Sequence, residues 1–207
     1  MPNLHPQIVQ VLEATAKAQL RPIEEMTPAE ARAQMEATAR ARKAEPLPVA
    51  RVGERPIPGP GGDIRLRLYW PDAPAPVPAI AYFHGGGHVI GSLDTHDLVA
   101  RNLCAGVGAV VASVDYRMGP EHKFPAPVDD SFAALKWLHA NAGSLGAART
   151  GLAYMATAPA PTSLPLWRCW RAMPGDRNCG CNRSSIRSAT TPCPAPATRN
   201  MGKAMAF

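Results

Sequence analysis

Apolar positions near the start of the chain recur every three to four residues: Leu4, Ile8, Val11 and Leu12 fall on one side of a helix over residues 4–20. A second helix opens at Thr27-Pro28-Ala29-Glu30, where Thr27 suits the N-cap, Pro28 the first turn, and Glu30 can reach back to the cap amide. The pattern predicts an Ala-rich amphipathic helix over residues 28–43, stopped by Pro46 and Pro48. From residue 51 the period changes to two. Ile64, Leu66, Leu68 and Trp70 alternate with Arg65, Arg67 and Tyr69, as in a half-buried strand, and Gly59-Pro60-Gly61-Gly62 reads as the turn from a shorter strand near residues 52–57. Such a pair predicts antiparallel strands at a sheet edge. Two apolar runs follow, residues 79–83 and 109–114, with a helical pattern over residues 95–105 between them. That is how a parallel strand-helix-strand crossover is written. A last helix is expected over residues 127–142, burying Phe132, Leu135 and Leu138. The fold class is therefore α/β.

Composition divides this picture. The 207 residues carry 22 Lys and Arg against 16 Asp and Glu, a formal charge of +6, and are 46% hydrophobic, enough for one domain with a core. No apolar run approaches the roughly 18 residues of a membrane span. The patch over residues 8–12 is cut by Glu13 and lacks a basic flank, so neither a membrane span nor a signal peptide is expected, and the location expected is cytoplasmic. Residues 1–147 carry 14 basic and 15 acidic side chains, whereas residues 148–207 carry 8 basic and one acidic, Asp176. Four of the five cysteines, Cys169, Cys179, Cys181 and Cys193, and seven prolines lie in that tail, with few β-branched or aromatic residues to build a core. The net +7 is an adequate footprint for phosphates, so a non-catalytic protein with a basic nucleic-acid-binding tail is the rival reading. No recognised nucleic-acid module surrounds the charge, and nucleic acid is not the expected partner. Cys179-Gly180-Cys181 leaves one residue between thiols, where paired zinc ligands have two or more, and the odd cysteine count does not suit a disulfide framework.

The informative motif ends the first parallel run: Tyr82-Phe83-His84-Gly85-Gly86-Gly87-His88, then Gly91-Ser92. Three consecutive glycines let the backbone turn sharply and point its N–H groups outward, and such groups can stabilise the oxyanion of an acyl-transfer intermediate. A plain turn or a phosphate loop uses glycine in the same way. Downstream stands Asp115-Tyr116-Arg117-Met118-Gly119-Pro120-Glu121, followed by His122-Lys123-Phe124-Pro125-Ala126.

With these two motifs in this order, the chain resembles the hormone-sensitive-lipase-like esterases of the α/β-hydrolase superfamily, whose loop after strand three has the His-Gly-Gly-Gly form. The second motif is similar to that family's Asp-Tyr-Arg-Leu-Ala-Pro-Glu; Met118 and Gly119 depart from it, and His88 stands where the family usually has an aromatic residue. The resemblance implies an α/β-hydrolase sheet in which His84, Gly85, Gly86 and Gly87 form the oxyanion-hole motif. Gly86 and Gly87 supply the amides, and His84 and Gly85 shape the loop. It implies that Arg117 and Glu121 brace their segment, that the substrate is a small carboxylic ester, and that no metal or organic cofactor takes part. Asp115, at a strand end, is expected to be paired or solvated rather than catalytic. The domains implied are cap helices over residues 1–45, a partial core over residues 46–147 lacking its C-terminal half, and the basic tail over residues 148–207.

Acyl-enzyme chemistry also needs a serine on a Gly-x-Ser-x-Gly elbow, then an acid and a histidine later in the chain. The chain has no Gly-x-Ser-x-Gly, no histidine after His139, and only Asp176 as a late acid. Family spacing places the elbow near Ala158, where the chain reads Met155-Ala156-Thr157-Ala158-Pro159-Ala160-Pro161. Back-translated with free choice of third bases and read from the third base of the Met155 codon, this segment encodes Gly-Asp-Ser-Ala-Gly. The tail, from about residues 148–155 onward, is therefore expected to be an out-of-frame translation, with little packed structure after about residue 142.

Overall fold

The computed structural model describes residues 4–42 and 44–157. Two helices, α1 (Pro6–Lys17) and α2 (Pro28–Ala41), precede the hairpin β1 (Arg51–Gly59) and β2 (Gly62–Trp70). Then come β3 (Val77–Phe83), α3 (Asp97–Val107), β4 (Val110–Asp115), α4 (Ala126–Asn141) and β5 (Ala147–Ala156). The strands form one five-stranded sheet in the order β1-β2-β4-β3-β5. β1 lies at one edge, antiparallel to β2, with Ile57 opposite Ile64. β2 is antiparallel to β4, while β3 runs parallel to both β4 and β5. The hairpin, the crossover and the edge position match the alternation and the apolar runs from which they were expected.

Both faces of the central strands are covered. Tyr69, Ile80, Tyr82 and Val111 form one buried cluster with Ala100, Cys104 and Ala109, so α3 and its C-terminal turn close that face. Their strand neighbours Leu68, Ala81, Phe83, Val110 and Ala112, which point the other way, are also buried. Leu135 and Leu138 of α4 have no exposed surface, and burial of each such side chain stabilises the fold by about 1.5–3 kcal/mol.

Four expectations change. The period-two pattern puts Tyr69 on the solvent side with Arg65 and Arg67, yet Tyr69 is fully buried and its hydroxyl donates to Asp97 Oδ1 at 2.7 Å. Helix α3 lies on that face and supplies Asp97, which converts a solvent position into an interior one. Phe132, expected in the core, is half-buried, with the Lys136 ammonium 4.6 Å from its ring centroid. Helix α2 ends at Ala41 rather than at residue 43. Little packed structure is expected after about residue 142, but β5 runs on to Ala156, pairing Ala79 with Leu152 and Phe83 with Ala156. Backbone hydrogen bonds to β3 hold this strand whatever its side chains contribute. The tail beyond it, including the expected elbow at Ala158 and Asp176, Cys169, Cys179, Cys181 and Cys193, lies outside the described residues.

Thr27 and Glu30 form the capping box read from the sequence: Thr27 N–H donates to Glu30 Oε2 at 2.8 Å and Glu30 N–H to Thr27 Oγ1 at 3.3 Å. In α2 the buried residue is Ala31; in α1 none is buried, and Ile8, Val11 and Leu12 stand exposed. Among the described residues no helix is long and apolar enough to cross a membrane.

Candidate active site

The parallel strands β3, β4 and β5 end side by side, at Phe83, Asp115 and Ala156. Open α/β sheets bind ligands at such carboxyl ends. The glycine loop leaves β3 here and Tyr116 leaves β4 beside it, so the crossover brings together two motifs about thirty residues apart in the sequence.

His84 is the buried base of the loop. Its ring stacks on Tyr116 with centroids 4.5 Å apart and on His96 at 5.3 Å, and the Tyr116 hydroxyl donates to its carbonyl at 2.6 Å. Nδ1 lies 2.9 Å from Gly85 O. Burial pushes the His84 pKa down, and the same cause brings His96 down to about 4, so both rings are neutral and pack as aromatic surfaces.

Beyond His84 the chain turns on glycine. Gly86 has φ +121°, and a Cβ there would sit 2.0 Å from Ile90 O. Only glycine fits. Its carbonyl accepts from Val89 N–H at 3.1 Å and Ile90 N–H at 3.0 Å, which closes the turn. Gly87 and His88 both adopt left-handed backbone, with φ +61° and +62°. Among the described residues neither the Gly86 nor the Gly87 N–H has a hydrogen-bond partner. Two unpaired donors on successive residues, held by a tight turn at the carboxyl end of a strand, can stabilise an oxyanion.

Three contacts fix this loop from outside. Thr157, just past β5, accepts the Gly85 N–H on Oγ1 at 3.0 Å and contacts the Tyr82 hydroxyl at 3.1 Å. Gly119 N–H donates to His88 O at 2.7 Å. From α2, Arg32 donates to Val89 O at 2.7 Å, to Gly119 O at 2.6 Å, and to both Glu121 oxygens at 2.8 and 2.7 Å.

The bracing expected of Arg117 and Glu121 has specific partners. Arg117 grips the buried Asp130 carboxylate through its amide (3.0 Å), Nε (2.8 Å) and Nη2 (2.8 Å). Asp115 pairs with Arg65 at 2.9 Å. Ser92 is tied into a local box: its N–H donates to Thr95 Oγ1 at 2.8 Å, and Thr95 N–H donates to Ser92 Oγ at 3.3 Å. His88 is half-buried and tilted against Tyr116, and burial lowers its pKa. Among the described residues no group of three His, Cys, Asp or Glu side chains could hold a metal ion.

Sequence reasoning missed Arg32, Asp130 and Thr157. Arg32 sits next to Ala31, the buried residue of α2. The position of Thr157 within the segment where the elbow is expected was the available signal for its role.

A family model described as alpha/beta hydrolase fold matches residues 80–155, the segment from β3 through β5. Residues 80–155 have the α/β-hydrolase fold. Among curated relatives, this chain is 50% identical over 104 residues to carboxylesterase NlhH of Mycobacterium tuberculosis, covering 49% of this chain and 33% of that one. It is 46% identical over 103 residues to esterase LipI of the same organism, covering 48% and 32%. Among solved structures, the hyperthermophilic esterase from the archaeon Pyrobaculum calidifontis superposes with a TM-score of 0.68 and 42% identity, over 75% of this chain and 50% of that one. The chain thus spans about a third of the length of these curated relatives and half that of the solved esterase.

Proposed function

We propose that this chain carries the oxyanion-binding part of a carboxylic-ester hydrolase, with the Gly86 and Gly87 amides as the donors. The observation that supports this most is the pair of N–H groups at the carboxyl end of β3 that have no partner among the described residues, one hydrogen bond away from the end of β5. In the intact enzyme a serine oxygen attacks the ester carbonyl carbon, and the carbonyl electron pair moves to oxygen, where the two amides stabilise the negative charge. The oxyanion collapses and the alcohol leaves with the proton that the histidine took from the serine; water, deprotonated by the same histidine, then attacks the acyl-enzyme carbonyl, releasing the acid and returning the proton to the serine. The substrate is a small carboxylic ester, and His88, in the place of an aromatic residue, shapes the acyl side of the site. Helices α1 and α2 form the cap.

As written, the chain lacks the serine elbow and its histidine, and we infer that it does not turn over esters. Preorganised donors without a triad give at most about 10³–10⁴-fold acceleration over water, and then only with the binding site intact. The inference extends to the tail: from about residue 155 onward it is an out-of-frame translation. Uninterrupted reads across codons 140–165 in the present frame, with no shifted elbow encoded, would refute that. The functional test is hydrolysis of a short-chain nitrophenyl ester, with labelling by a fluorophosphonate serine probe. The chain as written should show neither, and restoring the shifted frame should return both together. Turnover by the chain as written, or a restored chain inert to both reagents, overturns the reading. A salt-dependent shift of a labelled duplex by the full chain would favour the basic-tail alternative.

A further inference from the structure

Helix α2 is hydrogen-bonded to the turn of the glycine loop through Arg32. Helix α2 buries Ala31, and α1 buries nothing. Arg32, the next residue along, inserts its guanidinium between two loops that are distant in sequence. One is the turn that closes on Gly86 O; Arg32 Nε holds its outer carbonyl, Val89 O, at 2.7 Å. The other is the segment after β4, where Arg32 Nη2 holds Gly119 O at 2.6 Å and Glu121 takes the guanidinium with both oxygens. The two loops also meet directly, through Gly119 N–H and His88 O at 2.7 Å.

These bonds form a closed circuit around the peptide unit that carries the Gly87 amide, next to the unit that carries the Gly86 amide. The Gly86, Gly87 and His88 backbone, all at positive φ, has Gly86 O fixed from one side and His88 O from the other. Residues in such backbone persist where their surroundings over-determine them. A planar guanidinium with fixed donor directions can satisfy two carbonyls and a bidentate carboxylate at once, which a lysine ammonium cannot reproduce. Glu121 is held well below the usual carboxylate range by Arg32, so the pair is fully charged near neutrality.

We propose that Arg32 is a positioning residue for the oxyanion loop: through it, cap helix α2 sets the orientation of the Gly86 and Gly87 amides. The loop is shaped in part from outside the sheet, and loosening α2 loosens the donors. This rests on the reading of Gly86 and Gly87 as oxyanion donors, but its first test does not depend on turnover.

The test is amide hydrogen exchange on the full 207-residue chain, followed by mass spectrometry, for the parent, Arg32→Ala, Arg32→Lys and the surface control Arg40→Ala. In Arg32→Ala, exchange at Val89, Ile90 and Gly119 should accelerate by about tenfold or more, with β3 and β4 unchanged. Arg32→Lys should fall between parent and Arg32→Ala, and Arg40→Ala should match the parent. If α2 exchanges faster while Val89, Ile90 and Gly119 do not, Arg32 merely fastens the cap and the proposal is wrong. Should Arg32→Ala fail to fold, Arg32→Lys decides by the same criterion, and parent-like exchange at the three amides overturns the proposal. In the frame-restored chain, Arg32→Ala should lower kcat by about 10²-fold, as misplaced catalytic groups do, with KM changed less than kcat. A rise in KM alone would overturn the positioning role. An inert restored parent would instead count against the esterase reading and leave the exchange result to judge Arg32.

Discussion

The Gly85 amide donates to the hydroxyl of Thr157 at 3.0 Å, joining the loop after β3 to the end of β5 across 72 residues of sequence. The same oxygen meets the Tyr82 hydroxyl, and Thr157 N–H returns to Phe83 O at 3.2 Å. Packing order at the end of β5 and geometry of the glycine loop are therefore one property. Replacing Thr157 by Val keeps the shape and removes the oxygen, leaving a partly buried N–H and a tyrosine hydroxyl without their partner. Thr157→Val should destabilise the chain by about 1–3 kcal/mol and Thr157→Ser by much less, measured by urea denaturation followed through tryptophan fluorescence.

The three glycines of the motif are not equivalent. Both Gly86 and Gly87 hold positive φ, which costs a side chain about 1–3 kcal/mol. A Cβ on Gly86 also overlaps Ile90 O, a backbone atom, whereas around Gly87 the space is open. Gly86→Ala should therefore be the more destabilising of the two in the same urea titration. Equal losses would mean that the turn relaxes around Ile90.

Ser113 lies in β4 with no exposed surface, and among the described residues its Oγ has no hydrogen-bond partner. A buried hydroxyl without a partner loses its hydration with nothing in return. Ser113→Ala should thus be neutral or raise Tm in a thermal melt, where a conventional core truncation lowers it. A clear drop in Tm would reveal a partner for this hydroxyl.

The Arg32–Glu121 contact sets a pH window. Hydrogen bonding from Arg32 is the largest cause bringing the Glu121 carboxyl from 4.5 to about 2. A pKa depressed in the folded state stabilises above the unfolded value, and this contribution is lost as pH falls through the folded one. The attachment of α2 should hold above about pH 4.5 and weaken progressively toward pH 2. Exchange at the α2 amides across that window, compared with Glu121→Gln, checks this: the variant should be loosened already at neutral pH and lose the pH dependence.

Local signals in the sequence determined much of this protein. Alternation over Ile64, Leu66 and Leu68, the apolar runs around the crossover, the Thr27 and Glu30 capping box and the Gly86 turn are all written in near neighbours, because period, capping and positive φ depend on residues a few positions apart. The two motifs also sufficed for the resemblance to α/β-hydrolase esterases. Tertiary structure alone decided where long side chains found their partners. Tyr69 is interior because α3 brings Asp97 to it, Arg117 reaches Asp130 on α4, and Arg32 crosses from the cap to carbonyls near residues 89 and 119. The same holds for β5, whose order follows from backbone pairing with β3 while the charge balance there had already turned basic. A hydrogen bond between groups far apart in the chain leaves no period in either segment, so the fold has to form before the partners can be known.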